Sequence, residues 1–152
     1  MQRTILFLLA IALVTMTAHT QSRSQARSMV VSRGGIVAAE SPLAAQAGAM
    51  ILAHGGNAID AAVATNAAMG VLEPMMNGIG GDLFAMVYEA KTEKLYGLNA
   101  SGWAPAKLTL EFIKSKSITE MPREGIHSVT VPGAVDGWSK LLSRFGSKKF
   151  PE

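Results

Sequence analysis

The loop Asn77-Gly78-Ile79-Gly80-Gly81-Asp82 is the first candidate for chemistry, because glycine-rich loops can bind phosphate. A dinucleotide fingerprint needs Gly-x-Gly-x-x-Gly between a strand and a helix, but here Leu83 takes the last position and opens a predicted strand. A P-loop needs a Lys where Asp82 stands. The sequence therefore predicts no phosphate site. We expect the loop glycines to allow positive φ angles and close backbone approach.

Other patterns that carry catalysis are absent from the sequence. It contains no Gly-x-Ser-x-Gly elbow and no His-Glu-x-x-His helix. It has no cysteine, which excludes a disulfide framework, a thiolate metal site and a Cys nucleophile. His54 and His127 are isolated, and a single His is more often a surface or capping group than a ligand. We predict no catalytic residue, metal site or cofactor within these 152 residues.

Two helices are predicted to lead into the glycine loop. The first spans 43–54, with Ser41 as its N-cap and Pro42 at the first helical position. Gly55 is predicted to end it in the left-handed conformation, and Gly56 to extend the turn.

The second helix is predicted over 58–72, where Asn57 and Asp60 can form a capping box. This helix has few polar residues, so we expect it to be buried nearly all round. Both helices are interpreted as scaffold.

The remaining pattern predicts a mixed α/β (α+β) fold. The apolar run 83–89 indicates a strand covered on both faces, and 94–99 returns as its antiparallel partner. Further elements are short strands over 35–39 and 128–131, a surface helix over 108–116, and a helix over 135–145 that ends at Gly146.

The charges do not indicate a nucleic-acid partner. The sequence has a net charge of +3, but four of its arginines lie within the first 33 residues. From Gly35 onward ten Lys and Arg stand against eleven Asp and Glu, so the body is close to neutral and has no basic stripe.

The N-terminus has the order of a signal peptide. Arg3 precedes an apolar run over 5–14, and small or polar residues follow over 15–24. The alternative is a membrane anchor, but a spanning helix needs roughly 20 apolar residues, about twice this run. We therefore predict a signal peptide and cleavage region over 1–26, a domain over 27–152, and a periplasmic or secreted location without a stable membrane anchor.

Several motifs in one order resemble the start of the large subunit of γ-glutamyltransferases, also called γ-glutamyltranspeptidases or glutathione hydrolases. The resemblance extends from Gly34 to the last residue. The motifs are Gly55-Gly56-Asn57-Ala58-Ile59-Asp60-Ala61-Ala62-Val63-Ala64, Glu73-Pro74, Gly78-Ile79-Gly80-Gly81-Asp82, residues 99–105 with Lys107, and Val131-Pro132-Gly133-Ala134-Val135-Asp136-Gly137-Trp138. The resemblance marks as structural motif residues Gly55, Gly56, Asn57, Asp60, Gly78, Gly80, Gly81, Asp82 and Pro105.

The resemblance implies an N-terminal-nucleophile hydrolase with an αββα sandwich, of which this chain forms part. Such a precursor cuts itself into a large and a small subunit, and the new N-terminal Thr of the small subunit attacks with its own α-amine as base. The implied partners are a small γ-glutamyl substrate such as glutathione, an acceptor amine or water, and the rest of the large and small subunits. Exported members work in the periplasm or outside the cell.

The chain departs from this family in two ways. It contains no Thr-Thr pair of the kind found at the processing site, so we expect an N-terminal fragment that is inactive alone. Many γ-glutamyl-specific members also carry an Arg three residues before an Ala-Pro pair, where it binds the donor's α-carboxylate. Here that position is Ser101.

Ser101 and Trp103 are the predicted substrate-binding residues. A Ser hydroxyl contributes only about 0.5 to 1.5 kcal/mol, less than a bidentate Arg contact. The alternatives are an Arg from elsewhere in the precursor, another acyl group such as a dicarboxylic monoamide, or a Trp103 that simply packs under the strand end. Three functions follow: a γ-glutamyltransferase, a related acylase acting on an amide such as a glutaryl amide, and a non-catalytic exported binding module.

Overall fold

The computed structural model describes residues 29–149. The chain divides into two compact units, Met1–Val31 and Ser32–Glu152. Residues 29–31, the described part of the first unit, form no helix or strand. The predicted signal peptide lies outside the described residues, so its cleavage and the boundary at residue 26 stay predictions. Across residues 29–149, every helix is too short or too polar to cross a bilayer.

Two antiparallel helices open the second unit. Helix α1 spans Pro42–Ala53 and helix α2 spans Ala58–Leu72, so the predicted extents are confirmed to within a residue. Gly55 joins them with a φ of 81°, which confirms its predicted left-handed conformation. Ser41 is the N-cap residue, as predicted, with extended backbone and a carbonyl that accepts from the Ala45 N–H at 3.0 Å, but its hydroxyl makes no capping hydrogen bond. Pro42 lies at the helix start, also as predicted, where its ring fixes φ.

Helices α1 and α2 pack closely because small residues meet at their contact. A methyl group added at Gly48 would lie 2.1 Å from Thr65 Oγ1 and 2.8 Å from the Ala61 carbonyl oxygen. The Thr65 hydroxyl is buried there and donates to the Ala61 carbonyl at 2.7 Å. At the connecting turn, a methyl group on Gly56 would lie 2.5 Å from Ile51 Cγ2. The helical pair therefore depends on glycine at positions where no side chain fits.

The predicted hairpin is confirmed. Strand β1, Leu83–Glu89, pairs antiparallel with strand β2, Lys94–Ala100. Side chains alternate between the two faces of the hairpin. The face with Leu83, Ala85 and Val87 packs against the core. The prediction that β1 is covered on both faces is wrong for the described residues, because three large side chains of its other face are exposed: Phe84, Met86 and Tyr88.

Helix α4, Ala134–Phe145, lies between the helical pair and the hairpin. Its Trp138 and Leu141 form the core with Val63 of α2. The Trp138 indole N–H donates to Asn66 Oδ1 at 2.9 Å, so the one polar atom of the buried ring is satisfied. Gly146 follows the helix as predicted.

The capping box at the start of α2 is confirmed, and it also binds the end of α4. Asn57 Oδ1 accepts from the N–H groups of the next turn, while the Asn57 N–H donates to Asp60 Oδ2 at 2.7 Å. The Asn57 amide donates to the Phe145 carbonyl at 2.6 Å. Asp60 accepts from the N–H groups of Ser147 at 3.0 Å and Lys148 at 3.1 Å. This motif therefore holds two distant helix ends together.

Other sequence predictions need correction. Residues 35–39 form no strand, because this segment has no hydrogen-bonded neighbouring strand within the described chain. In place of the strand over 128–131, a 3₁₀ helix spans Ile126–Ser128 and extended backbone follows. The surface helix is shorter than predicted, with α3 over Leu110–Ser115 capped by Thr109. The α+β class is confirmed, while the full αββα sandwich stays a prediction.

Candidate functional site

The glycine loop between α2 and β1 binds the start of α4. The Gly81 carbonyl accepts hydrogen bonds from the N–H groups of Gly133 and Ala134, each at 3.1 Å. The prediction of positive φ is wrong for Gly78, Gly80 and Gly81, because the glycines with positive φ in residues 29–149 lie elsewhere. The predicted close backbone approach is also not found, because a methyl group at Gly78 or Gly80 would meet nothing within 4 Å and one at Gly81 would make an ordinary contact with the Gly78 carbonyl at 3.5 Å.

Asp82, the next residue, holds a different segment. Its Oδ1 accepts from the Gly102 N–H at 3.0 Å and from the Thr130 hydroxyl at 3.1 Å. These donors, the Gly102 N–H foremost, hold the pKa of Asp82 below its ordinary value. Asp82 is therefore an ionised acceptor at neutral pH, and it joins the end of β2 to the segment before α4.

The predicted substrate-binding residues flank Gly102. The Ser101 N–H donates to Asn99 Oδ1 at 2.9 Å, and the Trp103 carbonyl accepts from the Val131 N–H at 2.9 Å. A methyl group added at Gly102 would lie 1.4 Å from the Val131 carbonyl oxygen, so only glycine fits there. The Trp103 side chain is 86% exposed. The alternative in which Trp103 packs under the strand end is therefore wrong for the described residues.

Ser101 and Trp103 lie together on the wall of a cleft of about 600 Å³. Its other side comes from the Pro132-Gly133 turn and the first two turns of α4. Lys140 is the cationic residue among the described lining, and its Nζ donates to Asp136 Oδ2 in an exposed i,i+4 pair. Such a pair is weak, so the ammonium group is available to an anionic ligand. Asp136 also lines the cleft, so the described lining has one anionic and one cationic side chain.

Pro105 lies just beyond the cleft wall. Its carbonyl accepts from the Leu108 N–H at 2.8 Å, which forms the turn toward α3.

A second and larger depression, of about 750 Å³, lies between residues 34–40 and helix α2. Glycine and alanine supply 8 of its 17 lining residues, Gly56 among them. Four of its polar side chains already have hydrogen-bond partners within the protein: Asn57, Thr65, Asn66 and Asn77. Glu40 is the charged residue among the described lining. The predicted substrate-binding residues Ser101 and Trp103 lie in the other cleft, so we place the candidate site there.

Two histidines outside the cleft make contacts within the protein. The His54 ring contacts the Met50 carbonyl at 2.7 Å at the end of α1, and His127 packs edge-on against Phe112. Within residues 29–149, acidic and histidine side chains form no cluster of three that could hold a metal ion.

Comparison with known proteins decides the family. The profile described as Gamma-glutamyltranspeptidase matches residues 44–152. The chain belongs to this family. It corresponds to an N-terminal part of the family's proteins.

Similar proteins include both glutathione hydrolases and acylases. The glutathione hydrolase proenzyme of Bacillus subtilis is 37% identical over 87% of this chain and 23% of its own length. The crystal structure of Helicobacter pylori gamma-glutamyltranspeptidase matches 80% of this chain and 36% of that chain, with 33% identity and a TM-score of 0.72. Cephalosporin acylase from Bacillus halodurans matches 80% of this chain and 23% of that chain, with 51% identity and a TM-score of 0.74. The chain thus spans about a quarter of the curated relative's length.

Sequence reasoning missed some residues of the cleft. Asn99, Thr130 and Lys140 either line it or position its wall, yet each is an ordinary polar residue in a strand, an extended segment or a helix. The available signal is the Pro132-Gly133 pair, which belongs to a family motif and lines the same cleft as Ser101.

Proposed function

We propose that this chain is the N-terminal portion of an exported enzyme that cleaves an amide through a Thr acyl-enzyme, with γ-glutamyl amides such as glutathione as donors. The family match supports an amide-cleaving enzyme, and the apolar run at the N-terminus supports export. A further segment of the same precursor supplies the nucleophile. The single observation that carries the role of this chain is the cleft that Ser101, Trp103 and Lys140 line together.

The reaction assigns binding to this chain and bond breaking to the remainder. The Thr hydroxyl oxygen attacks the amide carbonyl, and its proton passes through the α-amine to the leaving amine. An ester between the acyl group and Thr is left, which water or an acceptor amine then resolves. In this scheme Trp103 packs on the acyl chain, the Ser101 hydroxyl donates to its carboxylate, and Lys140 supplies the cation.

A related acylase is the second candidate. Identity to the cephalosporin acylase is 51%, against 33% for the Helicobacter pylori gamma-glutamyltranspeptidase. Ser101 also replaces the arginine that the family resemblance leads one to expect for a γ-glutamyl carboxylate. A glutaryl amide has the same carboxylate but lacks the α-amine, so the two candidates differ in whether an ammonium group is recognised.

A binding module without catalysis has less support. The bare apolar face of the hairpin, with Phe84, Met86 and Tyr88 exposed, favours association with further protein over independent function. The sandwich that the family resemblance implies would cover this face with a second sheet.

The deciding experiment uses the protein expressed from its whole reading frame. Hydrolysis is measured on three p-nitroanilides, with γ-glutamyl, glutaryl and butyryl groups. Preference for γ-glutamyl supports the first candidate and preference for glutaryl the second. A processed protein that cleaves none of them rules out both.

The variant Ser101→Arg tests the cleft. We expect it to lower KM for the γ-glutamyl and glutaryl donors about tenfold, because a bidentate contact replaces a hydroxyl. The butyryl donor has no carboxylate and is the matched control. If KM and donor preference do not change, the loop at Ser101 is outside the acyl pocket.

A further inference from the structure

The segment Ser101-Gly102-Trp103 is fixed by hydrogen bonds more than by packing. Each of its residues has one backbone hydrogen bond to a different part of the chain. Ser101 donates to Asn99, Gly102 donates to Asp82, and the Trp103 carbonyl accepts from Val131. Because Trp103 is 86% exposed, its side chain makes too few contacts to hold the segment. The hydrogen-bond partners therefore set the direction in which Ser101 and Trp103 face the cleft.

Asp82 provides the one charged partner of this segment. A hydrogen bond to a carboxylate is roughly twice as strong as one between neutral groups. The same oxygen, Oδ1, accepts from Gly102 and Thr130, so Asp82 joins the residues that follow β2 to the segment before α4. Its backbone neighbour Gly81 holds the start of α4, which forms the far side of the cleft.

Gly102 also lies in close contact with backbone. Its Cα lies so near the Val131 carbonyl that an added methyl group would come within 1.4 Å of that oxygen. This contact leaves Gly102 no room to move toward the Val131 carbonyl, and its N–H is held by Asp82. Loss of the Asp82 carboxylate therefore removes one restraint on the segment, while the hydrogen bond between Trp103 and Val131 remains.

From this geometry we propose that Asp82 is a positioning residue for the acyl donor, and that its bonds to Gly102 and Thr130 fix the orientation of Ser101 and Trp103. This inference rests on the proposed function of the cleft. Asp82 acts through the loop and does not itself contact the donor. It affects the binding of the acyl donor much more than the bond-breaking step.

The test compares Asp82→Ala and Asp82→Asn in the protein expressed from its whole reading frame. We expect Asp82→Ala to raise KM for the preferred donor about tenfold with a smaller change in kcat, because binding is lost while the nucleophile is intact. Asp82→Asn keeps an oxygen that can accept from Gly102, so it should restore most of the affinity. Thr130→Val removes one donor to Asp82 and should give an intermediate KM. Glu111→Gln, an exposed carboxylate on α3, is the control and should leave kinetics unchanged.

Local motion of Trp103 gives a second readout that does not depend on activity. Time-resolved fluorescence anisotropy, after subtraction of a Trp103→Phe background, should show faster motion in Asp82→Ala than in Asp82→Asn. If wild type cleaves no donor, the proposed function fails, and anisotropy still tests the positioning. If wild type is active but Asp82→Ala keeps its KM and anisotropy, the inference is wrong and the proposed function stands. Should Asp82→Ala fail to fold, Asp82→Asn and Thr130→Val decide by the same measurements.

Discussion

The carboxylate of Asp60 accepts hydrogen bonds from both the hydroxyl and the backbone N–H of Ser147, 87 positions further along the chain. Asp60 is only 4% exposed. Burial by itself raises the pKa of Asp60, but the donors around it, the Ser147 hydroxyl foremost, lower the pKa below its ordinary value of 3.8. The start of α2 and the end of α4 are thereby joined through one ionised group.

Replacement of Asp60 should destabilise the protein. We expect Asp60→Ala to lower the free energy of unfolding by about 2 to 4 kcal/mol, because N–H groups at two helix ends lose a charged acceptor. Urea denaturation followed by circular dichroism measures the change. Glu111→Ala, which removes an exposed carboxylate, should leave the midpoint unchanged. An Asp60→Ala midpoint equal to that of wild type would show that the hydrogen bonds of Asp60 contribute nothing to stability.

The contribution of Asp60 should disappear in acid. Since its pKa is lower in the folded than in the unfolded protein, the carboxylate stabilises the fold above the unfolded pKa of 3.8. That stability is lost as pH falls through the lowered folded value. The difference in free energy of unfolding between wild type and Asp60→Asn should therefore be constant from about pH 7 down to about pH 5 and shrink below it. A difference that does not shrink in acid contradicts this assignment.

The close contact of α1 and α2 predicts a stability change opposite in sign to the one expected from helix propensity. Alanine is the better helix former, by about 1 kcal/mol, yet a methyl at Gly48 would lie 2.1 Å from Thr65 Oγ1. We expect Gly48→Ala to lower the melting temperature and to cost about 1 to 3 kcal/mol from overpacking. Gly34→Ala, where a methyl meets nothing within 4 Å, is the control. Stabilisation by Gly48→Ala would mean that the helices separate at no cost.

Substitution of the two tryptophans should affect different properties: donor binding for Trp103 and stability for Trp138. Trp103 is 86% exposed, so Trp103→Ala should leave the melting temperature nearly unchanged while raising KM for the acyl donor. Trp138 is 7% exposed and donates to Asn66, so Trp138→Phe should lower stability by about 1 to 3 kcal/mol. Thermal denaturation and donor kinetics are measured on both variants. A stability loss in Trp103→Ala as large as that in Trp138→Phe contradicts the exposed placement.

The bare face of the hairpin should make the 152-residue chain self-associate. Met86 is 76% exposed at the centre of this face, opposite Gly97 on β2. We expect Met86→Lys to reduce association, because a charge on an exposed apolar sheet face opposes stacking. Sedimentation velocity over a concentration series measures it. Lys94→Arg at the start of β2 keeps its charge and is the control. A wild-type chain that stays monomeric at all concentrations would indicate that this face needs no cover.

Some elements could be predicted from the sequence because their signals lie within a few consecutive residues. The capping box at Asn57 and Asp60 specified where α2 begins, and the polar turn between two apolar runs specified the hairpin. The predicted strand over 35–39 failed for a different reason: a strand exists only with a hydrogen-bonded neighbour, which local sequence does not reveal.

The candidate site was predicted only in part. Ser101 and Trp103 came from the family resemblance, and the structure places both on one cleft. The bonds of Asp82 to Gly102 and Thr130 join positions 20 and 48 residues apart. Such contacts have no periodic signature in one sequence, so the partners of Asp82 became visible only in three dimensions.

The loop between α2 and β1 also has a consequence for how related chains can differ in length. Surface loops usually tolerate insertions. Here the carbonyl of Gly81 and the carboxylate of Asp82 serve two separate segments from adjacent positions. One residue inserted between them would separate them by about 3.8 Å more, beyond the reach of a hydrogen bond. We expect homologous chains to keep these two positions adjacent.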